Sequence, residues 1–295
     1  MSRRACAAIV AAVVFTPFVA HAQFVMMPDS TNNRVVLFDP FDGSLVNPNY
    51  FALAAGTPIH AMQVGNEIWV SEQIGDRLSR WDLSGAALGA VSGGLDNVRG
   101  MGLIGGTVYA TNSGTANGAP GNAVVMFDTD GNPQGNFSTV GLAPSPFGVL
   151  ESAAGMLVSS SSANDDIHEF TLAGASVGTF HNSTGLNFVE QMDYAANGDV
   201  LAASFSSNIV AMLDPDEGDI LGSFPASGAR GVYQLGDGNV LWTNGSGAHV
   251  FDVDEGGSTQ VYAGGGRYLD NLIIPEPGSL ALLGAGGLLL ARRRR

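Results

Sequence analysis

The body of the chain repeats one short pattern of apolar and polar residues six times. In each copy a pair of apolar, often β-branched residues precedes an aromatic residue or a leucine, and in most copies an aspartate and a glycine-containing turn follow. These anchors, which recur every 38 to 46 residues, are Phe38, Trp81, Phe127, Phe170, Leu213 and Phe251. A period of about 40–50 residues composed of short alternating strands is typical of a β-propeller. The pattern therefore predicts an all-β, six-bladed propeller over residues 23–274.

Each repeat divides into four strand-like segments separated by turn residues. In the second repeat these segments are residues 58–64, 67–72, 77–83 and 87–92. The first repeat lacks its innermost strand, because residues 24–29 align with 67–72. Residues 267–274, after the last repeat, align with 58–64. We therefore expect the C-terminal strand to complete the first blade and to close the ring without a free sheet edge.

The first 22 residues have the three parts of a secretory signal peptide. Arg3 and Arg4 precede an apolar run over residues 5–20, and Ala20-His21-Ala22 forms a small-x-small cleavage site. We expect signal peptidase to cut after Ala22. Cys6 is the single cysteine and lies within this segment, so the exported protein would have neither a disulfide nor a thiol nucleophile.

Residues 275–295 contain three elements in order. Pro275-Glu276-Pro277 is followed by an uncharged run over residues 278–291 and then by four arginines, Arg292, Arg293, Arg294 and Arg295. A full membrane span takes about 20 apolar residues, so this run predicts a short transmembrane helix. The arginines would stop transfer and stay on the cytoplasmic side. The alternative is a buried apolar helix with a basic end.

These three elements resemble the PEP-CTERM sorting signal of Gram-negative bacteria. The resemblance implies that Pro275, Glu276 and Pro277 are recognised by an exosortase, a membrane-embedded cysteine protease that would process the chain nearby. It also implies a route through an inner-membrane intermediate to the cell surface or extracellular matrix. Proteins of this kind are associated with exopolysaccharide and biofilm. The only membrane contact would be made by this segment, before processing.

Charge excludes one class of partner. The chain has no lysine and a net charge of −15. Half of its twelve arginines lie in the two terminal segments, so residues 23–274 carry six arginines against 26 acids, a net charge of about −20. Nucleic acids and anionic lipids are attracted by clustered lysine and arginine. We therefore exclude nucleic-acid binding and expect the acidic surface to serve solubility.

Two segments carry a second resemblance. Residues 28–39, PDSTNNRVVLFD, are similar to the NHL repeat, and residues 108–112, VYATN, are similar to the YVTN repeat. This resemblance implies a propeller fold across the whole body. Propellers of these kinds include lactonases, lyases, quinoprotein relatives and binding scaffolds, so no single activity follows.

The innermost strands of a propeller line its central channel, and ligands bind at one mouth of that channel. The residue preceding the small residue of each innermost strand supplies six ligand-binding candidates, namely His60, Arg99, Phe147, Glu190, Arg230 and Asp270. Packing does not require five polar groups at these positions. The alternative is that they pair with one another and with channel water. No residue is assigned a catalytic role.

A metal-dependent lactonase would require two carboxylates and an asparagine around one divalent ion. The available groups are Glu190, Asp270 and either Asn112 or Asn244. Arg99 and Arg230 would repel a cation there, so we expect no metal or other cofactor. Calcium at the acidic segments 214–219 and 252–256 is the weaker alternative, because aspartate and glycine in hairpin turns have backbone roles of their own.

Two acid–arginine pairs have the spacing of ion pairs between adjacent strands, Asp29 with Arg34 and Glu72 with Arg77. The sequence as a whole predicts a secreted, non-enzymatic propeller at the cell surface or in the matrix, which binds polysaccharide or protein through one face. The alternative is a lactonase- or lyase-like enzyme acting on extracellular sugars at the channel mouth. A passive structural component of the matrix is a third possibility.

Overall fold

The computed structural model describes residues 21–161 and 167–275, and within them the chain forms six four-stranded sheets. The sheets are the blades of a propeller, so the all-β, six-bladed prediction is confirmed. The segment Gln23–Leu272 forms one compact unit. Residues 1–22 and 273–295 are grouped as a second unit, of which the structure describes only residues 21–22 and 273–275, as strand ends.

The strands are numbered in chain order. Blade 1 contains β1 (His21–Asp29), β2 (Arg34–Phe38), β3 (Leu45–Ala52) and β24 (Asp270–Pro275). Blade 2 contains β4 (Pro58–Val64), β5 (Glu67–Glu72), β6 (Arg77–Asp82) and β7 (Ala87–Ser92). Blade 3 contains β8 (Val98–Ile104), β9 (Thr107–Asn112), β10 (Ala123–Asp128) and β11 (Pro133–Ser138), with a 3₁₀ turn at Ala116–Gly118. Blade 4 contains β12 (Pro146–Glu151), β13 (Met156–Ser160), β14 (Ile167–Phe170) and β15 (Ser176–His181). Blade 5 contains β16 (Val189–Tyr194), β17 (Val200–Ser204), β18 (Ile209–Leu213) and β19 (Ile220–Pro225). Blade 6 contains β20 (Gly231–Gln234), β21 (Val240–Asn244), β22 (Gly247–Asp252) and β23 (Gly257–Ala263).

The apolar core lies between neighbouring blades. Trp69 and Leu78 of blade 2 pack with Val108 and Phe127 of blade 3. Comparable clusters join blades 3 and 4, 4 and 5, 5 and 6, and 6 and 1. Because a neighbour covers each face of a blade, its inner strands are buried on both sides and are apolar almost without interruption. Consecutive buried residues such as Ile68 and Trp69 in β5 follow from this arrangement.

Blade 1 contains both ends of the repeat region. Its strands lie in the order β24-β1-β2-β3, so the predicted closure by a C-terminal strand is confirmed. The closing strand begins at Asp270, three residues later than expected, and residues 267–269 form irregular backbone before it. An isolated antiparallel bridge between Asp29 of β1 and Gly266 extends this pairing towards the start of the closing segment.

The Asp29 carboxylate collects hydrogen bonds from both sides of this closure. Its donors are Thr31 N at 3.0 Å, Asn32 N at 3.1 Å, Asn32 Nδ2 at 2.7 Å, Gly265 N at 2.9 Å and the Tyr262 hydroxyl. The predicted ion pair with Arg34 is present at 3.4 Å, and the equivalent Glu72–Arg77 pair is present at 2.7 Å. Burial alone would raise the pKa of Asp29, but hydrogen bonds, led by those from Asn32 and Tyr262, lower it to about 2.

The predicted address segments lie almost entirely outside the described residues. This applies to residues 1–20, which include Ala20 of the cleavage site, and to residues 276–295, which include Glu276, Pro277, the apolar run and the four arginines. Ala22 lies within β1, and Pro275 is the last residue of β24. In the part of the chain that the structure describes, no helix has the length and apolar character needed to cross a membrane.

Candidate functional site

Repeated hydrogen bonds identify the equivalent positions in the innermost strands. Ser71 Oγ in blade 2 accepts a hydrogen bond from His60 N at 3.1 Å. Ser159 Oγ in blade 4 accepts one from Gly148 N at 2.8 Å. His60 is therefore equivalent to Gly148, and the residue before it, Ile59, is the true counterpart of Phe147.

The same comparison identifies the counterpart of Phe147 in blade 1. Thr111 Oγ1 donates a hydrogen bond to Phe147 O at 2.8 Å, across the boundary between blades 3 and 4. Thr243 Oγ1 donates one to Arg267 O at 2.6 Å, across the boundary between blades 6 and 1. Arg267 therefore occupies this position, and Asp270 lies three residues beyond it.

The six predicted candidates consequently do not form a single ring. They are distributed over three successive layers along the central axis. The arginine layer consists of Ile59, Arg99, Phe147, Glu190, Arg230 and Arg267. The axis layer follows one residue later and consists of His60, Gly100, Gly148, Gln191, Gly231 and Tyr268. The cavity layer lies two residues further on and consists of Met62, Gly102, Leu150, Asp193, Tyr233 and Asp270. The rule of a small following residue failed in blade 1, because the segment 267–271, RYLDN, contains no small residue.

The axis layer is filled by three large side chains and three glycines. A Cβ atom at Gly100 would lie 2.2 Å from Phe147 O, and one at Gly231 would lie 2.4 Å from Arg267 O, so the strands approach too closely for any other residue. Gln191 joins neighbouring strands, since its Oε1 accepts hydrogen bonds from Val232 N and Leu269 N and its Nε2 donates to Leu269 O at 2.6 Å. The remaining space on the axis is occupied by His60 and by the fully buried Tyr268, whose ring centroids are 5.6 Å apart.

A cavity of about 280 Å³ opens on the side of the cavity layer. Its polar lining consists of His60, Gln63, Glu151, Gln191, Asp193, Tyr233, Asp270 and Asn271. Of the predicted candidates, the cavity brings together His60 and Asp270, whose Nε2 and Oδ2 atoms are 3.2 Å apart. Arg99, Phe147, Glu190 and Arg230 do not line it.

The hydrogen bonding of His60 defines its tautomer. Nδ1 accepts a hydrogen bond from the backbone N–H of Met101 at 3.0 Å. The proton of the neutral ring is therefore on Nε2, which points towards Asp270. The distance of 3.2 Å is short enough for an electrostatic interaction, but this buried N–H makes no regular hydrogen bond among the described residues. Protonation of Nδ1 would place two N–H groups against each other, so His60 serves as a donor and is unsuited to act as a base.

Asp193 is the most perturbed acid of the cavity and was missed by the sequence analysis. Burial, reinforced by the nearby charge of Asp270, raises its pKa to about 7, against the opposing effect of a hydrogen bond from Tyr194 N. At neutral pH its carboxyl group therefore both donates and accepts hydrogen bonds. Strand alternation in the sequence could have identified it, because Asp193 lies two residues after Gln191 and therefore faces the same side of the strand.

An open groove of about 460 Å³ adjoins this site. The groove shares Asp193, Tyr233 and Asn271 with the cavity. Tyr233 donates a hydrogen bond to Asn271 Oδ1 at 2.8 Å, which fixes the shared edge. The outer part of the groove is lined by Phe41 and Tyr194, which are 62% and 40% exposed. Two aromatic side chains therefore lie along the path that leaves the cavity.

Metal-binding groups are not brought together by the fold. Within residues 21–161 and 167–275, no group of three or more His, Cys, Asp or Glu side chains could hold a metal ion. Glu190 and Asp270 lie in different layers. Asn112 accepts a hydrogen bond from Asp96 N at 2.7 Å, and Asn244 donates to Ser227 O at 2.9 Å, so both amides are used within loops.

The acidic segments 214–219 and 252–256 form hairpin turns. Asp214 Oδ1 accepts hydrogen bonds from the backbone N–H groups of residues 216 and 217, both at 2.9 Å. Asp252 Oδ1 accepts them from residues 254 and 255, at 2.9 and 2.8 Å. The first carboxylate of each segment therefore stabilises its own turn, which agrees with the structural interpretation of these residues.

The C-terminal segment matches a known sorting motif. Residues 274–295 match the family model of the PEP-CTERM protein-sorting motif. The chain carries a PEP-CTERM sorting signal. The motif is a substrate signal for exosortases, which supports an exosortase as the processing partner, and it implies export to the cell surface by way of the membrane.

Solved structures are similar to this propeller in fold. A nidogen/laminin complex contains a chain with 11% identity and a TM-score of 0.71, with 85% of this chain and 98% of that chain covered. A protein of unknown function from Bacteroides caccae has 15% identity and a TM-score of 0.64, with coverages of 86% and 99%. Virginiamycin B lyase from Staphylococcus aureus has 10% identity and a TM-score of 0.57, with coverages of 81% and 88%. No curated protein matches the chain. These likenesses agree with the fold implied by the NHL and YVTN resemblance.

Proposed function

We propose that this protein is a saccharide-binding propeller, delivered by an exosortase to the surface or extracellular matrix of a Gram-negative cell. The cavity would take one sugar residue of an exopolysaccharide, and the adjoining groove would take the next. The observation that carries this proposal is the cavity layer, where Asp193, Tyr233 and Asp270 converge on a pocket next to the His60 Nε2–H donor.

The chemistry of the cavity suits hydroxyl groups. Asp193 near its pKa both donates and accepts, Asp270 accepts, and His60 donates, which is the mixture that vicinal hydroxyls require. The exposed rings of Phe41 and Tyr194 provide flat apolar surfaces for the carbon-bound faces of a sugar ring. The volume of about 280 Å³ is at the small end for ligand pockets, so it suits a single sugar residue.

The charge of the cavity restricts which sugars can enter. Asp193, Asp270 and Glu151 line the pocket, and no arginine does. An anionic sugar would be repelled, whereas a neutral or amino sugar would be accepted. The proposed ligand of the cavity is therefore a neutral or amino-substituted saccharide end.

Calorimetric titration with neutral and amino oligosaccharides, and with the exopolysaccharide of the host, tests this proposal. Asp193→Ala and Tyr233→Phe are expected to weaken binding by about tenfold or more, since each removes a hydrogen bond made in a desolvated pocket. The exposed turn residue Asp237 provides the matched control, and Asp237→Asn should leave affinity unchanged. Equal affinity of all variants and the parent would refute binding in the cavity.

A lyase is the second candidate, and the raised pKa of Asp193 favours it. A general base works best when its pKa lies near the operating pH, and Asp193 at about 7 meets this condition. His60 Nδ1 already accepts a hydrogen bond from Met101 N and so has no free lone pair for a substrate proton. Two of the similar structures are named as lyases of virginiamycin B and streptogramin B. A lyase would release unsaturated sugar products, with a rate that rises with pH around 7 and is lost in Asp193→Asn. Saccharide binding without such products would leave only the binding function.

The sorting signal makes a separate prediction. In the native host the mature protein is expected to begin at Gln23 and to end near Pro275, as measured by intact mass. Replacing Pro275, Glu276 and Pro277 by alanine, or deleting the exosortase, should retain the arginines at residues 292–295 and hold the protein in the membrane. Gly278→Ala is the control and should be processed normally. Release of the alanine variant at the parent rate would contradict exosortase recognition of these residues.

A further inference from the structure

The arginines between residues 23 and 274 fall into two groups of three. In the first group each side chain has its own carboxylate, as in Arg34–Asp29 at 3.4 Å, Arg77–Glu72 at 2.7 Å and Arg80–Glu67 at 2.7 Å. The second group consists of Arg99, Arg230 and Arg267. Its members all interact with the charge of Glu190 in the arginine layer. Three positive charges therefore share one carboxylate, within a body whose net charge is about −20.

The carboxylate at the centre of this cluster makes only long contacts with its arginines. Glu190 is 3% exposed, yet its oxygens lie 3.8 Å from Arg230 Nε and 3.9 Å from Arg267 Nη1. Among the described residues, Glu190 Oε2, Arg230 Nε and the Tyr268 hydroxyl are buried without a hydrogen-bond partner. Buried polar groups are almost always hydrogen-bonded, because desolvation without a partner is costly. Arg230 Nε is therefore an unused donor, whereas Arg267 Nε donates to Ser30 Oγ at 2.9 Å.

Arg99 has a different role from the other two arginines. It donates hydrogen bonds to Ser145 Oγ at 2.8 Å and to Pro146 O at 3.3 Å, and its guanidinium lies 3.8 Å from the centre of the Phe147 ring. These neutral partners fix Arg99 in place, so it contributes charge to the cluster without a free donor face. Arg230 and Arg267 remain accessible, with side chains 20% and 16% exposed.

Aromatic rings border the accessible arginines. The guanidinium of Arg230 lies 5.5 Å from the centre of the Phe205 ring. The centres of the Phe205 and Phe188 rings are 5.1 Å apart. Phe188 has a positive φ of 63°, a conformation that the equivalent residues Thr57 and Ser145 of blades 2 and 4 share, so it belongs to the repeat and places the Phe188 ring beside Phe205. A positive centre is thus combined with an apolar wall.

We propose that Arg230 and Arg267 form a second ligand site, on the arginine layer, for the carboxylate of an acidic sugar such as a uronate. The planar guanidinium matches a carboxylate in two parallel hydrogen bonds, and the Phe188–Phe205 wall would contact the sugar ring. Glu190 holds the two arginines in place while no ligand is bound and is the group with which the ligand competes. The site differs from the cavity in its layer, its charge and its ligand, and does not depend on the saccharide site proposed above.

Titration of the full-length protein in detergent with glucuronate at low salt tests the proposal, with glucose as the uncharged comparison. The parent protein is expected to bind glucuronate and not glucose through this site. Arg230→Gln and Arg267→Gln should each weaken glucuronate binding by about tenfold or more, because a charge-assisted pair is lost. Arg80→Gln is the matched control, because Arg80 has its own acid on an outer strand, and it should not alter binding.

Glu190→Gln separates a binding role from a structural one. Removing the competing carboxylate should strengthen glucuronate binding several-fold, a gain that a misfolded variant could not show. Asp193→Ala should leave this binding unchanged, whereas Arg230→Gln should leave neutral saccharide binding in the cavity unchanged, so the two sites can fail independently. Absence of glucuronate binding by the parent, or no gain in Glu190→Gln, would overturn the site. Equal binding of inorganic sulfate would overturn its assignment to a sugar.

Discussion

Replacing Asp29 by asparagine is expected to lower the free energy of unfolding by about 3 kcal/mol at pH 7, since it breaks a buried, charge-assisted network. The Asp29 carboxylate accepts hydrogen bonds from Thr31, Asn32, Tyr262 and Gly265 at the point where the ring closes. An asparagine side chain loses one acceptor oxygen and presents an N–H₂ group to donors. Urea-induced unfolding followed by tryptophan fluorescence measures the loss.

The same residue makes closure sensitive to acid. The pKa of Asp29 is about 2 in the folded protein, against an ordinary value of 3.8. Because the pKa is lower in the folded protein, the unfolded chain binds the proton more readily. Ionised Asp29 therefore adds about 2 kcal/mol to the free energy of unfolding above pH 4, and this contribution is lost as pH falls towards 2. The Asp29→Asn variant should lack this part of the acid dependence.

Glu72 provides the control for position. It occupies the same place in blade 2, is equally buried and pairs with Arg77, but it lies away from the closure. Glu72→Gln should cost less than half as much as Asp29→Asn. Equal losses for the two variants would show that any buried acid at this position matters, and that closure has no special dependence on Asp29.

The second large effect is a gain in stability. Asp193→Asn is expected to raise the free energy of unfolding at pH 8 by up to about 4 kcal/mol, because the folded protein no longer has to bury a charged carboxylate. The pKa of Asp193 is raised to about 7 from 3.8, so between these values the folded state binds more protons than the unfolded chain. Stability therefore falls as pH rises from about 4 to 7 and stays low above that range.

Thermal unfolding of parent and variant at pH 5 and pH 8 measures this difference. The two proteins should differ most at pH 8 and become similar towards pH 4. Asp237→Asn alters an exposed acid in the turn between β20 and β21 of blade 6 and should behave as the parent at both pH values. A constant difference across pH would mean that Asp193 does not titrate in this range. A gain in stability combined with weaker saccharide binding would show that the cavity retains this acid for its ligand.

The sequence by itself determined the blade number, the closure and the sorting signal. The repeated apolar–aromatic–aspartate phrase reports local strand and hairpin preferences, and these recur with a period that only a propeller satisfies. The ion pairs of Asp29 with Arg34 and of Glu72 with Arg77 followed from hairpin spacing alone. The sorting signal is read as a linear segment, so its residues were identifiable without a fold.

Only the tertiary structure decided which residues share a layer of the central channel. Neighbouring innermost strands are far apart in sequence, and a shift of one residue turns a side chain to the other side of its strand. His60 was placed one residue out of register because the small residue Ala61 follows it, and Asp270 three residues out because residues 267–271 of blade 1 contain no small residue. The correct layers separate an acidic cavity around Asp193 from an arginine cluster around Glu190. That separation depends on how six strands pack around one axis, which no local pattern in the chain encodes.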